Sequence, residues 1–352
     1  MRDKISSELI EAFSLCPRKA FLLMTAPASP SPHDYEVVIR EQADANRQVH
    51  HFRLVEGGEV VPFGSPAVMA AGREIVADAD LTADGLQACC DFMTRVNEPS
   101  RLGRFGYEPV KVIGTHRASR PDTLGLAYQG LVLGEVQGRL PSLGILVLLG
   151  DRRSKVKLVG KYKQVRRIVD ALWAWVGNPA CDAPPVLLNK HCPSCPFRDA
   201  CLQQAEREDN LSLLDRMTPK LMRKYHDKGI FTVKQLSYLF KPRRSRKKAK
   251  RQVRHSLELQ ALAIRTGKVH VEHLPELPHS PVELFLDMEG VPDRDSYYLA
   301  GLLVSKRGAV EYESFWADDA TGESMMWSAL VERLAAFPDT PIYHYAVVSR
   351  ES

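Results

Sequence analysis

Eleven residues near the middle of the chain, "HCPSCPFRDAC" (191–201), carry three cysteines spaced Cys-x2-Cys-x5-Cys: Cys192, Cys195 and Cys201. Such crowding points to a thiolate metal site, and thiolate sites normally take four protein ligands. The chain must therefore bring a fourth soft ligand to this loop, a stronger constraint on its fold than any hydrophobic pattern. Cys89 and Cys90 stand together in the strand-like run "LQACCDFM" and read as small buried residues. Cys181 lies in a Pro-rich loop, which leaves Cys16, in "SLCPRKAF", as the natural candidate. Seven cysteines without regular spacing do not make a secreted disulfide framework. By analogy with a disulfide, a link from Cys16 to Cys192 closes a loop of about 176 residues and stabilises by roughly 4 to 5 kcal/mol. The site is then a structural staple.

At 352 residues, 44% of them hydrophobic, the chain is expected to hold two or three domains. No apolar run approaches the length of a membrane span, and the acidic residues in "MRDKISSELIEAF" are unlike a signal peptide. A cytoplasmic protein without a membrane partner is expected. The net charge of +5 has an address, because "KPRRSRKKAKRQVR" (241–254) holds nine Lys/Arg and no acid. The remainder has 39 basic against 43 acidic residues, so a polyanion would be met at this segment rather than over the whole surface. Lys241, Arg243, Arg244, Arg246, Lys247, Lys248, Lys250 and Arg251 are the expected phosphate contacts, with DNA favoured over RNA as partner. The plain alternative is a solvated linker.

Periodicity predicts an N-terminal helix broken at "CPR", a helix over 37–54, strands at "EIVADAD", "LQACCDFMTRV" and "YEPVKVI", a helix ending at Gly138, and a hairpin turning at Gly150-Asp151. A further helix precedes the cysteine loop. Residues 206–240 read as two short helices: Thr218-Pro219 opens the first, Gly229 stops it, and Thr232 with Gln235 forms a capping box for the second. Such a helix-hairpin-helix-like turn can offer backbone N–H groups to phosphate; an ordinary helical connector is the alternative. After a basic linker and helix (241–280), residues 281–352 run β, β, β, α, β, the opening order of an RNase H-like domain.

"LCPRKAF" together with "HCPSCPFRDAC" resembles the RecB-like nucleases that carry an Fe–S cluster, a family that includes CRISPR-associated exonucleases. The resemblance implies a PD-(D/E)XK restriction-endonuclease-like α/β domain over 1–205. It also implies a 4Fe-4S cluster on Cys16, Cys192, Cys195 and Cys201, and Mg²⁺ or Mn²⁺ at a nuclease site. The family pattern is a helical His, a strand Asp, an acid-x-Lys on the next strand and Gln-x3-Tyr on the following helix. His50 and Asp91 match the first two positions. The acid and lysine positions hold Lys111 and Ile113, and Gly125 stands where the glutamine is expected. Glu108 and Lys111 could substitute only if a bulge brought i and i+3 to one face.

The second candidate is "FLDMEG", in which Asp287 and Glu289 occupy i and i+2 of one strand and can share a divalent ion. Two charges within an apolar strand are costly unless paired or metal-bound. The motif resembles the first motif of DEDD 3′ to 5′ exonucleases. The leading expectation is a metal-dependent DNA nuclease that hydrolyses phosphodiester bonds, with Asp91, Glu108, Lys111, Asp287 and Glu289 as catalytic candidates and His50, Asp91, Asp287 and Glu289 on metal. The rivals are a non-catalytic nucleic-acid-binding protein stapled by the cluster and a zinc-binding structural protein.

Overall fold

A proline decides the first break in the fold. The residue before proline is pushed out of the helical region, and Cys16, followed by Pro17, is extended (φ −159°, ψ 117°). A short strand β1 (Ile5–Ser6) is thus followed by two helices, α1 (Ser7–Leu15) and α2 (Pro17–Thr25), with Cys16 alone as their junction. The structure, a computed structural model, describes residues 4–25, 31–59, 61–178, 181–241, 255–271, 276–291 and 296–344. The chain divides into two compact units, Met1–His270 and Val271–Ser352.

In the first unit, α3 (Asp34–Glu56) and α4 (Pro66–Ala70) precede strands β2 (Ile75–Ala83), β3 (Leu86–Val96) and β4 (Gly106–Val112). Helix α5 (Arg120–Gln137), the hairpin β5 (Leu143–Leu148) and β6 (Arg152–Lys157), and helix α6 (Val159–Val176) follow. Strand β3 pairs antiparallel with β2 and β4, β5 runs parallel to β4, and β6 closes the sheet antiparallel to β5. A three-residue loop, Leu149 to Asp151, closes the hairpin, with Gly150 and Asp151 both at positive φ (77° and 57°). Helix α5 is buried along most of its length, and small residues admit its neighbours: Gly130 faces Leu158 and Tyr162, Gly134 faces Leu140. One face of the sheet packs with α1, α5 and α6 around Leu9, Leu126, Tyr128 and Leu172; Leu54 of α3 joins Phe92, Val110 and Val147 on the other.

The alternation along β3 changes parity at one residue. Leu86, Ala88 and Cys90 point into the α5-side core, yet Phe92 points into the opposite core and Met93 returns to the first. Across the pair, Ala77 and Ala79 also face opposite cores, the register skips Asp78 and Asp91, and Asp78 has φ 47°. A left-handed residue in one strand thus lifts both aspartates out of the ladder. Cys90 is buried, but Cys89 on the alternate side is exposed, which corrects the expectation that both are buried.

A 3-10 turn (Cys192–Ser194) leads into α7 (Arg198–Arg207), and α8 (Pro219–His226), α9 (Val233–Ser237) and α10 (Leu257–Thr266) complete the first unit. These last helices have their own small core of Leu211, Leu214, Val233, Leu236 and Ala261. The punctuation is as the sequence predicts: Thr218 caps α8 ahead of Pro219, Gly229 takes φ 75°, and Thr232 with Gln235 forms the capping box of α9. The second unit has β7 (Val282–Val291), β8 (Ser296–Lys306), β9 (Ala309–Trp316), α11 (Ala320–Ala335) and β10 (Ile342–His344), in the expected order. Its sheet runs β10-β7-β8-β9 with β10 parallel to β7, and Met326 and Leu330 of α11 cover Ala300 on one face. Among the described residues no helix is long and apolar enough to cross a membrane.

Candidate functional site

The four cysteines singled out by spacing line one cavity. Cys16, Cys192, Cys195 and Cys201 share its wall with Arg18, Lys19, Asn189 and His191, and all four are partly buried. Each sits where local structure presents its sulfur: Cys16 at the α1–α2 break, Cys192 and Cys195 around the 3-10 turn, Cys201 in the first turn of α7. The Asn189 N–H donates to Cys192 Sγ at 3.2 Å. Burial pushes the Cys195 and Cys201 thiols up, opposed by the Phe197 N–H at Cys195 and by Arg18 at Cys201. As the side chains stand, no group of three or more His, Cys, Asp or Glu among the described residues could hold a metal ion. The donor set is nonetheless a soft, all-thiol one, and the buried Nε of Arg18, on the same wall, lacks a hydrogen-bond partner. Those observations fit a thiolate-bound group better than an apolar core.

The residues expected to form a nuclease site in the first unit are arranged differently. Asp91, out of the ladder, accepts a hydrogen bond from the Val112 N–H at 2.8 Å; burial pushes its carboxyl up, against that bond and the nearby charge of Lys111. Lys111 projects from β4 to the α5 side and forms a partly buried ion pair with Glu11 of α1. Burial works against the Lys111 charge, but Glu11, Asp122 and Asp91 together hold its pKa above the ordinary lysine value. Gly125 of α5 makes this pair possible: a Cβ there would overlap Glu11 Oε1 and stand 3.0 Å from Lys111 Nζ. An ammonium thus lies beside Asp91 and Glu11, where a divalent ion would need its own room. The residues present do not fit Mg²⁺ or Mn²⁺ here.

Two expectations are corrected by this geometry. Glu108 and Lys111 do not converge: β4 pairs with β3 and β5 without a bulge, so i and i+3 face opposite sides. Glu108 instead accepts from the Leu143 backbone N–H, and burial raises its carboxyl. His50 does not join Asp91 as a metal ligand. Its Nδ1 is hydrogen-bonded to Asp151 at the hairpin turn, its ring stands edge-on to Phe92 at 5.1 Å, and Arg53 holds the second Asp151 oxygen. Burial lowers the His50 pKa although Asp151 opposes this.

In the second unit Asp287 and Glu289 do share one face of β7, and both are exposed. The expectation that they are costly charges inside an apolar strand is therefore corrected: Leu286 and Met288 turn to the α11 core while the carboxylates stay hydrated. Phe285, also exposed, is on the same face, and Tyr312 of β9 lies over Gly301, the residue opposite Asp287. Hard oxygen donors at i and i+2 with open access suit a hydrated divalent ion as a partial ligand set.

The chain matches no protein-family model and no curated protein.

The connector helices do not offer the expected phosphate seat. The Val233 and Lys234 N–H groups donate to the backbone oxygen and carboxylate of Asp209, and the Gln235 N–H donates to Thr232, so the N-terminus of α9 is satisfied from within. Of the basic run, Lys241 is exposed, whereas Arg243, Arg244, Arg246, Lys247, Lys248, Lys250 and Arg251 lie outside the described residues. Sequence reasoning missed Glu11, Arg18, Lys19, Asp78 and Asp151. The signal for Glu11 was an acid flanked by Ile10 and Ala12 in an otherwise apolar stretch, and the signal for Asp151 was its place beside Gly150 in the hairpin turn.

Proposed function

We propose that the chain is a nucleic-acid-processing protein of the RecB-like Fe–S type. In this reading the first unit is a PD-(D/E)XK-like platform stapled by a 4Fe-4S cluster and lacking a hydrolytic site, and phosphodiester hydrolysis belongs to the second unit. The observation that carries it is the gathering of Cys16, Cys192, Cys195 and Cys201 around one cavity from positions far apart in the chain. The antiparallel β2-β3-β4 meander with its α5 crossover to a parallel β5 supports the same reading. The parallel β10 beside β7 supports an RNase H-like second unit.

Asp287 and Glu289 would hold Mg²⁺ or Mn²⁺, which supplies Lewis-acid polarisation of a phosphate and an activated water. Their part is to fix the ion on an open sheet face that a polynucleotide end can reach. In the first unit, a cleft of about 560 Å³ lined by His51, Phe52, Phe63 and the Arg47–Asp78 ion pair offers exposed aromatic faces suited to stacking with unpaired bases. The basic run supplies phosphate contacts that weaken with salt.

Cleavage of single-stranded and duplex DNA by the cluster-loaded chain with Mn²⁺ tests the assignment. Asp287→Asn is expected to lower the rate at least about tenfold, the scale of losing a catalytic metal ligand, and Asp91→Asn to leave it nearly unchanged. The opposite pattern would move the chemistry to the first unit. DNA binding without cleavage would favour the non-catalytic reading, which the Lys111–Glu11 pair already supports for the first unit.

A further inference from the structure

The cysteine cavity has a charge on its wall that the surrounding protein does not neutralise. Arg18, in the first turn of α2, donates from Nη1 to the Pro184 carbonyl and from Nη2 to Gln204 Oε1, both at 2.6 Å. Both acceptors are neutral, its Nε is buried without a partner, and no carboxylate pairs with it among the described residues. Its neighbour Lys19 differs, because Glu36 at 2.7 Å offsets that ammonium and His191 Nε2 lies 3.0 Å away. A partly desolvated cation without an anion is unfavourable, and the site it lines must supply the compensating charge. The cavity wall also holds the four cysteines, of which Cys201 interacts with Arg18; Arg198 lines it too, but is exposed to solvent.

We infer that Arg18 is the counter-charge of this cavity, holding its guanidinium against the sulfurs to balance the negative charge of the group they bind. The inference rests on the cluster reading above. Arg18 is a positioning and charge-balancing residue, not a ligand: its two Nη groups tie it to the loop before the cysteines and to α7, and its Nε is left to face the anion. The potential of a thiolate-held cluster depends on net charge and on hydrogen bonds to its sulfurs. Removing a fixed cation makes the cluster harder to reduce.

The test is an anaerobic reductive titration of the full chain with dithionite, with iron and acid-labile sulfide measured on the same samples. Arg18→Gln, which keeps a hydrogen-bonding side chain and removes the charge, is expected to shift the midpoint potential to more negative values. Gln204→Ala removes one tether and keeps the charge, so its midpoint should stay with wild type. A loaded Arg18→Gln protein with the wild-type midpoint, or an equal shift in Gln204→Ala, overturns the inference while leaving the cluster reading intact. Should Arg18→Gln fail to load, Arg18→Lys decides: retained loading and potential support a charge role, and loss equal to that of Gln overturns it. Zinc, or no iron and sulfide, in the wild-type chain overturns the cluster reading itself.

Discussion

Glycine in the middle of a helix ordinarily costs about 0.5 to 1 kcal/mol relative to alanine, so Gly125→Ala should stabilise α5 if nothing else stood there. Here the added methyl group overlaps the Glu11 carboxylate. Glu11 and Lys111 meet it with the ends of long side chains and can shift at the expense of their ion pair, so the expected net effect is a destabilisation of at most about 1 kcal/mol, read as a lower urea midpoint; a higher midpoint would show that the pair yields freely. His50 gives a pH signature of its own. Burial holds its folded-state pKa below the ordinary imidazole value, so the stabilisation is complete above that value and is lost as pH falls through it towards the lowered one. The difference in unfolding free energy between wild type and His50→Gln should therefore slope across that window, and a flat difference would reject the assignment.

Among the elements, the α1–α2 break and α7 depend most on the cysteine site, since they carry its two ends. If the proposed cluster is bound, Cys16→Ser should cost several kcal/mol, up to the roughly 4 to 5 expected for opening a loop of this length, measured by chemical unfolding under anaerobic conditions. The elements themselves were largely legible in the sequence. Pro17 after Cys16, the Gly150-Asp151 turn and the Thr232/Gln235 box act through local sterics and hydrogen bonding, which neighbouring residues specify. The cysteine site was legible because three of its residues crowd together and elimination left Cys16 as the fourth; the carboxylate and lysine site was not. Cys192, Cys195 and Cys201 announced themselves, but the meaning of Lys111 depended on Glu11, a hundred positions earlier on another element. The exposure of Cys89, Asp287 and Glu289 depended on which strand face a helix happened to cover, which alternation alone does not say.

For the molecule as a whole, charge is concentrated in the segment 241–254 rather than spread over the body. If, as proposed, that segment grips phosphates, deleting it should weaken DNA binding and flatten its dependence on salt, because fewer phosphate contacts release fewer counterions. Fluorescence anisotropy at several salt concentrations measures both, and an unchanged slope would assign binding to another surface. The ion pair between α1 and β4 has a further consequence, in evolutionary time. Changing Lys111 to an acid would crowd three carboxylates without a cation, and adding a side chain at Gly125 would collide with Glu11. Each single step towards a metal site at this position is thus unfavourable before the others are in place, so Glu11, Lys111 and Gly125 hold one another fixed.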